Sequence, residues 1–190
     1  MEEDFIDLIG FNGPIFITII AFLNLLDKMP YLIGFIFFNV LNIQLNEVLK
    51  NWFVQPRPEK INLQEDQKLH IFYKLFGESL FRRNLNNNSV HVYGMPSGHA
   101  QTAAFALGFL FIVCNKLPYY IIISSASLFC LTLFQRWYRK KHTIYQLLIG
   151  SIIGFIFAVF SYQIIRHIMI SKTIKSDMND FIYKFWYSNH

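Results

Sequence analysis

Charge is scarce in this chain. Asp, Glu, Lys and Arg make up 15% of its 190 residues, against 54% hydrophobic side chains, and the mean hydropathy is +0.33. Soluble domains carry about 25% charged residues, so the composition points to a membrane protein. Cysteine is nearly missing. Cys114 and Cys130 both lie inside apolar runs, which argues against a disulfide framework. There is no polar domain to display the net charge of +5 as a basic face, so a nucleic-acid partner is not expected. The Lys and Arg residues instead sit in short segments between apolar stretches, where anionic headgroups or phosphates fit better. No cluster of carboxylates suits a divalent cation, and neither a metal nor a cofactor is expected. The first apolar run lacks the basic leader of a cleavable signal peptide: Glu2, Glu3 and Asp4 precede it, and it is expected to be retained. No internal repeat or second domain is visible.

What the chain has in quantity is apolar runs. They predict an all-α, polytopic membrane helix bundle of about five transmembrane helices, at about 5–27, 31–50, 99–114, 117–135 and 143–166. Asn12-Gly13-Pro14 interrupts the first, predicting a kink at Pro14. In the second, Asn39, Asn42, Asn46 and Lys50 recur at three- and four-residue spacing as one polar stripe, which must face a protein interior or a wet cavity. Asn115-Lys116-Leu117-Pro118 makes the third and fourth helices antiparallel neighbours. In the fifth, His142, Gln146, Gly150 and Gly154 share a face that is polar at its mouth and small further in.

The long polar segment 51–98 opens on Gln55-Pro56-Arg57-Pro58, which must be extended or turned. Within it, Leu69, Phe72, Tyr73, Phe76 and Leu80 form one apolar helical face, suited either to lying on the membrane surface or to a small soluble cap. Asn87-Asn88-Ser89 is a formal glycosylation acceptor. The tail 171–190 is polar, with Phe181, Phe185, Trp186 and Tyr187 as an interfacial anchor.

Between the loop and the third helix lies Tyr93-Gly94-Met95-Pro96-Ser97-Gly98-His99. Pro96 suits a first helical turn, Ser97 a cap, and Gly98 a close approach of another group. The first N–H groups of such a helix can hold an anion, beside which His99 could give or take a proton. Five spans bring Lys50 and Arg57, Ser97 to His99, and Arg136 to His142 to one membrane face. Three cations and a helix start make a cage for a phosphoryl group, and two histidines can divide attack on phosphorus from protonation of the leaving oxygen.

At these residues the sequence resembles the type 2 phosphatidic acid phosphatase superfamily, whose pattern is Lys-x6-Arg-Pro, then Pro-Ser-Gly-His, then Ser-Arg-x5-His-x3-Asp. Lys50 to Arg57-Pro58 matches the first, Pro96 to His99 the second, and Gln135-Arg136 to His142 keeps the spacing of the third. The resemblance covers roughly Asn46 to Gly154. It implies a metal-independent membrane phosphatase domain over about 1–170, with His142 as nucleophile, His99 as acid and base, and Lys50, Arg57, Ser97, Gly98 and Arg136 binding phosphate. Two positions depart from the pattern: Gln135 stands for Ser and Gln146 for Asp. Gln146 can still accept a hydrogen bond from the second nitrogen of His142, fixing its tautomer without supplying charge.

Asn46-Glu47, Tyr93-Gly-Met-Pro-Ser-x-His-x-Gln101 and His142-Thr143-x-x-Gln146 look most like the dolichyldiphosphatase branch, which has Gln at the last of these positions. That likeness implies hydrolysis of a polyprenyl diphosphate to the monophosphate and phosphate, on the lumenal side of the endoplasmic reticulum. A phosphatase of phosphatidate-like monophosphates and an inactive lipid-phosphate-binding homologue are the alternatives. Membrane lipids are the other expected partners.

Overall fold

The computed structural model describes residues 2–58, 93–114 and 116–188. Among them are five α-helices: α1 (Glu2–Asn24), α2 (Met29–Phe53), α3 (Gly98–Val113), α4 (Tyr119–Tyr138) and α5 (Ile144–Ser188), and no β-strand. The all-α bundle read from the sequence is the fold. Ile6–Asn24, Met29–Phe53 and Ile144–Ser171 are long and apolar enough to cross a bilayer, while Gly98–Val113 is a shorter apolar helix. The glycosylation acceptor and the amphipathic segment at 69–80 lie outside the described residues, as do the last two residues of the chain.

Two boundaries differ from expectation. α1 runs through Asn12-Gly13-Pro14 without a break. The Asn12 side chain donates to Leu8 O at 2.8 Å and the Thr18 hydroxyl to Pro14 O at 2.8 Å, so neighbouring side chains bond to the backbone carbonyls around the proline. α5 continues as one helix to Ser188, through the segment read as a tail.

α3 is the axis of the bundle: it packs on each of the other four helices. Beyond Thr102 it is apolar all round, with Ala103, Ala104, Phe105, Ala106, Phe109 and Leu110 fully buried, as a helix enclosed by its neighbours requires. Lipid tails are as apolar as leucine, so close packing holds such helices together more than apolar burial does. α5 therefore approaches α3 through Gly150 and Gly154. A Cβ on Gly150 would sit 2.6 Å from Ser97 O, and one on Gly154 would overlap Gln101 O. That glycine face is a packing surface.

The polar stripe of α2 points inward, with Asn42 and Asn46 buried. Gln101 of α3 donates to Asn42 O at 3.0 Å and Oδ1 at 2.9 Å, and accepts from Asn46 Nδ2 at 2.8 Å. Asn46 also donates to Pro96 O at 3.2 Å. This clasp fixes the register of α2 against the start of α3, which satisfies the polar groups and positions the loop between them. At the opposite end Lys28 donates to Val113 O at 3.0 Å, on the terminal carbonyls of α3.

α1 and α2 are consecutive, yet α1 packs on α4 and α3 whereas α2 packs on α3 and α5. They straddle α3 and leave a gap between themselves.

Candidate active site

The loop from Tyr93 to Ser97 is tied down on both sides. Gly94 N–H donates to Gln55 O at 2.7 Å, and Pro56 and Tyr93 form an antiparallel bridge, so the two ends of the 51–98 loop are joined at a neck. Ser97 N–H donates to Gln146 O at 3.2 Å. Pro96, in a cis peptide with Met95, lies before the cap and not in the first turn. Ser97 is the N-cap, its hydroxyl accepting from Ala100 N–H at 3.5 Å. Gly98 opens α3 where a Cβ would lie 3.0 Å from Asn46 Oδ1 and 3.7 Å from Lys50 Nζ, so the close approach expected of it is present.

The turn after α4 explains the six-residue step from Arg136 to His142. Arg136 O accepts both Lys141 N–H at 3.0 Å and His142 N–H at 3.3 Å, folding the histidine back beside the arginine. Both are 2% exposed. His142 Nδ1 lies 2.9 Å from Gly94 O and 3.3 Å from Gln146 Oε1. A carbonyl oxygen only accepts, so Nδ1 carries the proton and Nε2 keeps its lone pair. Gln146 is held in turn: Oε1 accepts from Thr143 N–H at 3.2 Å, and Nε2 donates to Pro56 O at 3.0 Å and Gln55 Oε1 at 3.3 Å.

Burial, then the positive charges of Arg57, Arg136 and Lys50, hold the His142 imidazole well below its ordinary pKa, against a smaller opposing effect of the Gly94 hydrogen bond. His142 is therefore neutral at pH 7. The same three cations and His142 act electrostatically on His99, so Lys50, Arg57, His99, Arg136 and His142 gather at one end of the bundle. Arg57 passes close over Gly94, where a Cβ would lie 2.9 Å from its Cγ. Ser97 and Gly98 belong to the same end, although the Ser97 N–H is engaged with Gln146.

Sequence reasoning missed two participants and the role of a third. The Gly94 carbonyl is the shorter of the two bonds to His142 Nδ1, and a backbone acceptor leaves no mark in a motif. Gln101 sits at the centre of the α2–α3 clasp. The other missed participant is Asp7 of α1, which accepts from Gln135 Nε2 at 3.3 Å and Arg139 Nε at 3.0 Å, and pairs with the Arg139 guanidinium. Arg139 is thus a structural partner of α1.

A cavity of about 390 Å³ opens into the gap between α1 and α2, with α3 as its floor. Lys50, Glu47, Asn46, Thr102 and His99 line its polar part, and Phe11, Pro14, Ile15 and Ile43 its apolar part.

Compared with models of known families, residues 29–170 match the PAP2 superfamily. The chain belongs to the PAP2 superfamily. The match spans α2 to α5 as far as residue 170, and includes every residue of the cage and both histidines. PAP2 membership makes the chain a phosphatase by family, and the apolar helices make lipid its natural medium. Neither the curated proteins nor the solved structures compared with it yield a match.

Proposed function

We propose that this PAP2 protein hydrolyses a polyprenyl diphosphate to the monophosphate and orthophosphate through a phosphohistidine. The observation that carries the reading is His142, buried, neutral, bonded through Nδ1 to Gly94 O at 2.9 Å, and surrounded by Arg57, Arg136 and Lys50. In this mechanism Nε2 attacks the terminal phosphorus, forming a P–N bond as the bridging P–O bond breaks. His99 gives a proton to the departing oxygen and the lipid monophosphate leaves. His99 then takes a proton from water, whose oxygen attacks phosphorus, releasing orthophosphate and neutral His142.

Charge on the phosphoryl oxygens is held by Lys50, Arg57, Arg136 and the first N–H groups of α3, those of Gly98 and His99, since that of Ser97 is engaged. Ser97 acts through its cap, and Gln146 by orienting His142. The gap between α1 and α2 suits a substrate with a charged head and a long apolar tail: the head meets Lys50 and His99, and the tail runs out past Ile15 and Ile43. The dolichyldiphosphatase-like residues, Gln101 and Gln146 among them, favour the diphosphate over phosphatidate. They also favour a lumenal active site in the endoplasmic reticulum.

The test is phosphate release by the full-length protein in detergent with EDTA, offered a polyprenyl diphosphate and phosphatidate, with His142→Ala as control. Preferential release from the diphosphate, lost in His142→Ala, is expected. Preference for phosphatidate would overturn the substrate assignment; activity abolished by EDTA or retained in His142→Ala would overturn the mechanism.

A further inference from the structure

α1 lies outside the region that matches the PAP2 superfamily, which begins at residue 29, so family membership assigns it no role. Its residues nevertheless reach the centre of the site. Asp7, Gly10 and Phe11 follow at the three- and four-residue spacing that places them on one helix face, and that face packs on α4. Gly10 permits the approach, because a Cβ there would lie 2.6 Å from Gln135 Cβ. Asp7 then fixes the register by engaging Gln135, just before Arg136, and Arg139, within the turn that follows it.

Phe11, buried one turn further on, touches two members of the site at once. The Arg136 guanidinium carbon lies 5.2 Å from the centre of its ring, within cation–π range. The His99 ring meets it edge to face, with centroids 4.9 Å apart and planes at 61°. A carboxylate in this place would neutralise the cation and repel a phosphate. An aromatic ring attracts the guanidinium and brings no net charge.

We infer that Phe11 is a positioning residue, which holds Arg136 and His99 in one arrangement for the phosphoryl group and the leaving oxygen. The inference rests on the phosphatase reading above, and Asp7 is the anchor that keeps the ring in place. It also accounts for Gln135, where the family pattern has Ser: the longer side chain reaches Asp7 on α1.

The experiment uses full-length protein in detergent, with Phe11→Leu and Phe11→Tyr compared on three readouts: melting temperature, vanadate affinity, and turnover of phosphatidate, whose alkoxide must leave with a proton, against p-nitrophenyl phosphate, whose leaving group departs without one. The leucine variant is expected to bind vanadate about three- to thirtyfold more weakly, the range of cation–π contacts from exposed to desolvated. Its loss of kcat should be larger on the lipid than on the aryl phosphate, because only the former needs the proton of His99. Tyrosine, keeping the ring, should recover most of both. Equal losses on the two substrates with unchanged vanadate affinity, or losses that follow melting temperature in both variants, would overturn the role of Phe11 and leave the phosphatase reading standing. A parent protein inactive on every phosphate offered would overturn that reading, and this inference with it.

Discussion

His142 gives its Nδ1 proton to the backbone carbonyl of Gly94, 2.9 Å away, and the glycine that supplies this acceptor is itself wedged between Gln146 and Arg57. One residue thus sets the tautomer of the proposed nucleophile and leaves room for the amide and the cation beside it.

Gly94→Ala should therefore be far more damaging than a loop glycine ordinarily is. Its Cβ would lie 2.7 Å from Gln146 Oε1 and 2.9 Å from Arg57 Cγ, so both must move. Misplacement of about an ångström can lower turnover by about a hundredfold. Steady-state kinetics on a lipid diphosphate, with melting temperature as control, should show a drop in kcat of about tenfold or more in a protein that still folds.

The acid side of the pH–rate profile reports the nucleophile. Burial first, and then Arg57, lowers the pKa of His142, so the free enzyme keeps a neutral imidazole below the ordinary histidine range and log kcat/KM should hold its value into that range. Replacing Arg57 with Ala removes a positive charge that opposes protonation. The acid limb should move to higher pH, in a direction independent of how much phosphate binding is lost. A limb that stayed in place would mean Arg57 exerts no field on His142. By the same linkage, stability is complete above the unfolded histidine pKa and declines as pH falls from there toward the lower folded value, since only the unfolded chain takes up the proton.

Gln101→Leu removes the centre of the α2–α3 clasp and leaves the Asn42 side chain and one bond of Asn46 without their partner. A buried polar group stripped of its partner costs about 1–3 kcal/mol. Thermal unfolding in detergent should show that loss, and activity should fall beyond it, because Asn46 also holds Pro96 O at the head of α3.

Ile43→Trp fills the apolar part of the gap between α1 and α2. KM for a long polyprenyl diphosphate should rise severalfold while a short, water-soluble phosphate is turned over as before. An equal effect on both substrates would mean the tail takes another route.

The helices and the residues gathered at one end of the bundle were legible because both rest on patterns that a linear text records. Apolar runs mark the helices, and the step from Arg136 to His142 follows a turn closed on Arg136 O. Contacts with α1 were illegible. Asp7 and Phe11 stand more than 120 residues from Gln135 and Arg136, and nothing in their local sequence separates a phenylalanine that backs a guanidinium from one that faces lipid. The interruption at Asn12-Gly13-Pro14 does not end the helix, which runs on through the proline. Gly150 and Gly154 were legible as a small face suited to packing on another helix, and it is there that α5 approaches α3.

The neck formed by Gln55, Pro56, Tyr93 and Gly94 also bears on how the protein can change. It ties Gln55 and Pro56, beside Arg57, to Tyr93 and Gly94, whose carbonyl meets His142. A change that opens the neck therefore reaches the proposed nucleophile through the backbone of Gly94, without passing through any side chain of the cage.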